Sequence, residues 1–260
     1  MRHIFAIAGR ELKSLFASPV AYAVLTLFSV LAGFFFLLNV LEFQEYVIRM
    51  QTFQLSEQLA ELNLNDHVIA FFLRSMSVVL LILIPGLTMG LFAAEKANGT
   101  EELLLTSPIT IWQLVIGKYL AAAVFVALLV LLLALYPGLL FIYGNPELGK
   151  TLTGLAALFL VGLVYVAIGA FASSVTRSQL IAFLLAFVLL LVLLMLGSLA
   201  DLGGATSETL GSVLRFLSTS DRFESMLMGL VDTKDLTYFA AMVAAFLILT
   251  KAAVESVRWR

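Results

Sequence analysis

Residues 119–146, YLAAAVFVALLVLLLALYPGLLFIYGNP, run from Lys118 to Glu147 without a charged side chain. At 1.5 Å rise per residue, a helix over this stretch exceeds the hydrocarbon thickness of a bilayer, about 30 Å. On either side of it, further uncharged runs recur at 14–41, 75–94, 151–176, 179–200 and 236–250. The last is the shortest, and Lys251 can snorkel so that residues 252–254 extend it. The 260-residue chain is 62% hydrophobic and 12% charged, against about 45–50% and 25% in soluble domains. A large soluble catalytic domain is excluded.

These runs predict an all-α integral membrane protein with six transmembrane helices, at about 17–41, 67–94, 110–143, 151–175, 179–200 and 236–256. They form a single transmembrane domain over 17–260, behind an interfacial helix at 1–16. The first run is too long for the apolar segment of a signal peptide. The sequence has no cysteine and only two histidines, His3 and His67. Disulfides and thiolate chemistry are thereby removed, and a histidine-rich metal site is not expected.

Lys and Arg set the expected orientation. An even number of spans puts both termini on one side, together with Arg2, Arg10, Lys13, Lys96, Lys118, Arg177, Lys251, Arg258 and Arg260. Arg49, Arg74, Lys150, Arg215, Arg222 and Lys234 fall on the other side, with most of the acids. The positive-inside rule then makes the termini cytoplasmic. In residues 1–16, Ile4, Phe5, Ala8, Leu12, Leu15 and Phe16 share one helical face and Arg2, His3, Arg10, Lys13 and Ser14 the other, as in a helix lying along a membrane surface. That helix either anchors to anionic lipid or also meets a cytoplasmic partner. Residues 42–66 are acidic and read as a helical extension or hairpin, with Asp66 as N-cap of the second span.

The most informative linker is AAEKANGTEELLLTSPITIWQLVIGK, residues 93–118. Asn98 with Glu101 three residues on predicts the start of a short helix over 98–108, and Glu101 and Glu102 suit its positive dipole end. Pro108 ends it, because the residue before a proline avoids the helical region. Thr110 with Gln113 forms a capping-box pattern that opens the third span. Leu103, Leu104 and Leu105 are left needing cover.

The string EKANGTEELLLTSPI resembles the E-(R/K)-x-x-G-T-x-E-L-L-L-T-x-P pattern of ABC type-2 permeases, the membrane subunits of ABC exporters. ELKSLFASPVAY (11–22), AFASSVTRSQLIAF (170–183) and LSTSDRFESMLMGLVDTKDLTYF (217–239) look most like the gliding-motility-associated subgroup. The resemblance implies that residues 98–108 are the coupling helix that docks on the ATPase subunit. Glu95, Asn98, Gly99, Thr100, Glu101, Glu102, Leu104, Leu105 and Pro108 would make that contact, with Arg10, Lys13 and Arg177 as secondary cytoplasmic contacts. It also implies outer-face re-entrant helices within 206–231, where two amphipathic segments are too short to span and Asp221 and Glu224 suit a cap and its N3 partner. An ordinary ordered loop is the alternative there.

Inside the second span, Pro85, Gly86 and Gly90 combine a kink-permitting proline with a GxxxG pair, for close packing or a hinge. Gly154, Gly162, Gly169 and Ser173 form a small-residue stripe in the fourth. No acid lies in the middle of a span, so a midplane proton relay has no residue to build it. There is no GxxxxGK[ST] loop, HExxH or GxSxG. ATP and Mg would therefore bind the partner subunit, and this chain is expected to hold no cofactor and perform no catalysis.

The expected function is the permease subunit of an ATP-binding cassette complex in a bacterial inner membrane. Its partners would be a cytoplasmic ATPase subunit, a second copy of the permease, a periplasmic or membrane auxiliary subunit and the lipid bilayer, with no nucleic acid. Two alternatives stay open: a membrane subunit that transmits force without moving solute, and an ion-coupled secondary transporter, which the missing midplane charges disfavour.

Overall fold

The computed structural model describes residues 2–54, 62–100, 109–204 and 208–256. Among them every regular element is helical and no strand occurs. Helix α1 (Arg2–Ala17) is followed by α2 (Pro19–Thr52), then α3 (Ala70–Thr88), which a π-helical turn at Asn65–Ile69 leads into. Next come α4 (Gly90–Ala97), α5 (Ile111–Leu133), α6 (Leu135–Tyr143), α7 (Leu148–Val175) and α8 (Gln179–Gly204). Two short helices, α9 (Glu208–Leu217) and α10 (Thr219–Leu227), precede α11 (Thr233–Ser256). Six stretches are long and apolar enough to cross a membrane: Ala21–Thr52, Asn65–Ala97, Ile111–Tyr143, Leu148–Val175, Gln179–Ala200 and Thr233–Ser256. The all-α, six-span expectation is met.

Helix α7 is the centre of the bundle and touches α3, α4, α5, α8, α10 and α11. Its glycines explain how so many neighbours fit. A Cβ at Gly154 would stand 2.7 Å from Leu73, one at Gly162 2.6 Å from Val126, and one at Gly169 2.0 Å from the Thr88 hydroxyl. In a bilayer, where burial of apolar surface gives helices no drive to associate, close approach of this kind supplies the attraction. The glycines of the second span are looser: the nearest atom to a Cβ at Gly86 or at Gly90 is 4.0 Å away.

The second span is broken between Thr88 and Gly90. Pro85, buried inside α3, has no N–H for the carbonyl one turn back. Ser173 of α7 bridges the break: its Oγ donates to the Met89 carbonyl at 2.8 Å and accepts from the N–H groups of Phe92 and Ala93 at 3.0 and 3.1 Å. Freed backbone groups at membrane depth must find partners within the protein, and this serine provides them.

The end of the bundle that holds α1 and the close of α11 is called the base, and the opposite end the crown. At the crown, α2 continues past the first uncharged run as one helix to Thr52. Residues 55–61 of the acidic segment lie outside the described residues. Asp66 does not cap the second span. Its helix starts a residue or two earlier, from Leu64 without a side-chain cap, and Asp66 instead faces Lys150 at 3.5 Å. Asn65 is buried and ties the two outer helix ends together, donating to the Glu147 carbonyl and Thr151 Oγ1, both at 3.0 Å, and accepting from the Glu147 N–H at 2.6 Å.

Residues 208–217 and 219–227 form two helices, joined at Ser218, in place of an ordinary loop. Helix α10 lies against α7 and α8 and buries Phe223, Met226 and Leu227. Ser218, not Asp221, is its N-cap: the Ser218 hydroxyl accepts from the Asp221 N–H at 3.3 Å. That leaves the Glu224 carboxylate free of any capping duty, and it pairs with Arg74 of α3.

Candidate functional site

The base is organised around Lys118. Thr110 and Gln113 form the capping box expected from the sequence: Gln113 N–H donates to Thr110 Oγ1 at 3.3 Å and Thr110 N–H to Gln113 Oε1 at 3.1 Å. Helix α5 therefore starts with fixed phase, and its second turn presents Gly117 and Lys118. Gly117 is where α1 docks. A Cβ there would be 2.8 Å from the Ile7 side chain and 3.2 Å from the Ile4 carbonyl. Ala8 of α1 is buried and Ile7 packs on the core, while Phe5 is exposed. Helix α1 thus rests on α5 and turns Phe5 outward.

Lys118 is 1% exposed. Its Nζ donates to the Leu91 carbonyl at 2.6 Å, to Glu95 Oε1 at 2.7 Å and to Glu11 Oε1 at 3.4 Å, and stands 5.4 Å from the Phe92 ring centre. An ammonium has three donors, and all three are used. A buried cation is tolerated on those terms, with its hydrogens satisfied and its charge paired. Arg10 joins the cluster from the solvent side, 2.8 Å from Glu11 and 3.9 Å from Glu95. The Glu11 hydrogen bond raises the Arg10 guanidinium above its already high ordinary value, so it stays charged. Two cations and two carboxylates from α1, α4 and α5 balance.

Glu95 is held at both ends. Its side chain meets Lys118, and its carbonyl accepts from the Thr100 N–H at 3.1 Å. With Gly99 at φ +70°, that bond closes a Schellman turn over Asn98–Gly99–Thr100. This differs from the expectation that Asn98 opens a new helix. Asn98 has helical dihedrals and is the C-cap of α4, because the residue after it is the glycine that can take a left-handed conformation. The chain beyond Thr100 leaves from a point fixed by Lys118. Glu101, Glu102, Leu104, Leu105 and Pro108 lie outside the described residues.

The remaining base residues are more open. Arg177 is exposed on the turn between α7 and α8, and Lys13 is exposed on α1. Lys96 Nζ donates to the Ser174 carbonyl at 2.6 Å, a cation at the negative end of α7. Lys251 stands over Trp112, 5.7 Å from the ring centre, and pairs with Glu255 at 3.2 Å. No group of three or more potential metal ligands occurs among the described residues. Glu11 and Lys118 were not among the residues the sequence nominated. The available signal was a lysine in the second turn of an otherwise apolar span, behind a capping box.

Six apolar spans, with the second and third joined at the base on either side of the linker between them, define a polytopic membrane component. The family model described as "ABC-2 family transporter protein" matches residues 5–257, and the chain belongs to that family. Its members are the permease component of ABC transporters, which is not itself catalytic, and membership implies a partner ATPase subunit. A comparison with curated proteins returns no match.

Proposed function

We propose that this chain couples ATP hydrolysis by a separate nucleotide-binding subunit to export, or to conformational work, across a bacterial inner membrane. The base faces the cytoplasm, and the permease works as a homodimer. Residues 98–108 are the element the ATPase subunit grips, and ATP and Mg bind that partner. The stretches 11–22, 170–183 and 217–239 support the gliding-motility-associated subgroup.

The observation that carries this reading is the Lys118 cluster. It joins α1 to the helices on either side of the linker, so a push on the linker moves α1, α4 and α5 together. The break at Met89–Gly90 is where this unit can pivot against α3, and Ser173 keeps its backbone groups bonded. An ATPase partner can shift such an element only by gripping its two positions with different affinity.

The test is purification of the tagged chain in mild detergent with its bound partners, followed by an ATPase assay. Co-purification of a Walker-motif ATPase is expected. Gly99→Pro, which cannot take φ +70°, combined with Glu101→Arg should remove stimulation of that activity. Unchanged stimulation would overturn the coupling assignment. A force-transmitting subunit would share the base and differ at the crown.

A further inference from the structure

Between α3, α7, α8 and α10, in the crown half of the bundle, lies a cavity of about 300 Å³. Arg74 and Glu224 line it, joined by two hydrogen bonds, Nε to Oε2 at 3.2 Å and Nη2 to Oε1. Arg74 lies eight residues along its helix from Asp66, or about 12 Å into the membrane from the polar crown. Tyr165 lies fourteen residues along α7 from Thr151, about 21 Å in, so the cavity reaches toward the midplane. The spans contribute no mid-membrane acid. Glu224 arrives from a helix that folds back into the bundle.

Three observations point to a ligand. The Arg74 and Glu224 side chains remain 42% and 38% exposed, although an ion pair at this depth that served structure alone would be enclosed. Tyr165 is 2% exposed and lines the cavity, yet its hydroxyl has no hydrogen-bond partner among the described residues. On the α3 side the flanking exposed residues, Val78 and Ile82, are apolar, and Met195 of α8, next to the cavity-lining Ser198, adds to them, while α10 places exposed Asp221 against Gly197 on the other side. The α3 side of the opening is therefore apolar, and the α10 side carries a charge.

We propose that this cavity holds the zwitterionic headgroup of a phospholipid, its acyl chains remaining in the bilayer. The phosphate meets Arg74 and the Tyr165 hydroxyl, and the amine meets Glu224. A site whose two charges cancel disfavours a net anion or cation, and a headgroup carrying both charges satisfies each. The proposal rests on the permease reading and names the class of molecule it handles. Binding is measured without the ATPase, so its failure leaves the coupling reading standing.

The experiment uses the full chain in nanodiscs of equal dioleoyl-phosphatidylethanolamine, dioleoyl-phosphatidylglycerol and dioleoylglycerol, with native mass spectrometry of the lipid retained on release. The expected result is preferential retention of phosphatidylethanolamine. Arg74→Gln with Glu224→Gln, which removes both charges together, should lower that preference about tenfold, the worth of a charge-assisted hydrogen bond. Ser198→Trp, at an exposed position that tolerates a larger side chain, should block retention of all three by filling the cavity. Retention in the bulk ratio, or retention that Ser198→Trp leaves unchanged, would overturn the proposal.

Discussion

The base and the crown each hold a cation against a carboxylate, and they hold it differently. At the base, Lys118 is enclosed, its three hydrogens are taken, and Glu95 and Glu11 hold it between three helices. At the crown, Arg74 and Glu224 bridge α3 and α10 and line a cavity, but about two-fifths of each side chain stays exposed. The difference separates two uses of charge in a membrane bundle. An enclosed, saturated cluster fixes geometry and passes motion through it. An exposed pair costs little to open and can exchange its partner for a ligand.

Replacing Lys118 gives the largest test of this contrast. Lys118→Met leaves Glu95 beside the core with only the more distant Arg10, 3.9 Å away, and thermal unfolding in nanodiscs should register a loss of about 3–5 kcal/mol. Adding Glu95→Gln should recover part of it. A change below 1 kcal/mol in the single variant would mean that the cluster is not structural. Next comes Gly117→Val, whose side chain would enter the space of Ile7. Overpacking there should cost about 1–3 kcal/mol, and cysteine cross-linking between α1 and α5 should fall with it.

Ser173→Ala removes the partner of two N–H groups and one carbonyl at the break in the second span. The expected loss is about 1–3 kcal/mol, with faster amide exchange at Phe92 and Ala93 as the specific sign. The smallest effect belongs to the crown. Arg74→Gln with Glu224→Gln, which leaves no unpaired charge, should change stability by less than about 1 kcal/mol. A loss there equal to that of Lys118→Met would erase the distinction between the two ends.

Much of the architecture was readable in the sequence, for reasons tied to particular residues. Uncharged runs such as 119–146 have one stable solution in lipid, a helix. The capping box at Thr110 and Gln113 is a local contact, so its residues announce it. The small-residue stripe of Gly154, Gly162, Gly169 and Ser173 marked α7 as a helix to be approached closely, and neighbours do reach it. Caps with several candidate residues were read less well. Asn98 ends a helix instead of starting one because Gly99 follows it, and Ser218 takes the place first given to Asp221. Both signals were present, and both were outweighed by a competing pattern one to three residues away.

The amino-acid sequence by itself determined that this chain is a six-span helical membrane protein, and its linker between the second and third spans carried the resemblance to the permease family. Those properties follow from hydropathy and local spacing, which act within a few turns of chain. Only the tertiary structure decided which charges meet. Glu11 reaches Lys118 across 107 positions and Arg74 reaches Glu224 across 150. The physical reason is that an intramembrane charge is fixed by whichever helix can bring an opposite charge to the same depth, and that depends on how the helices fold back on one another.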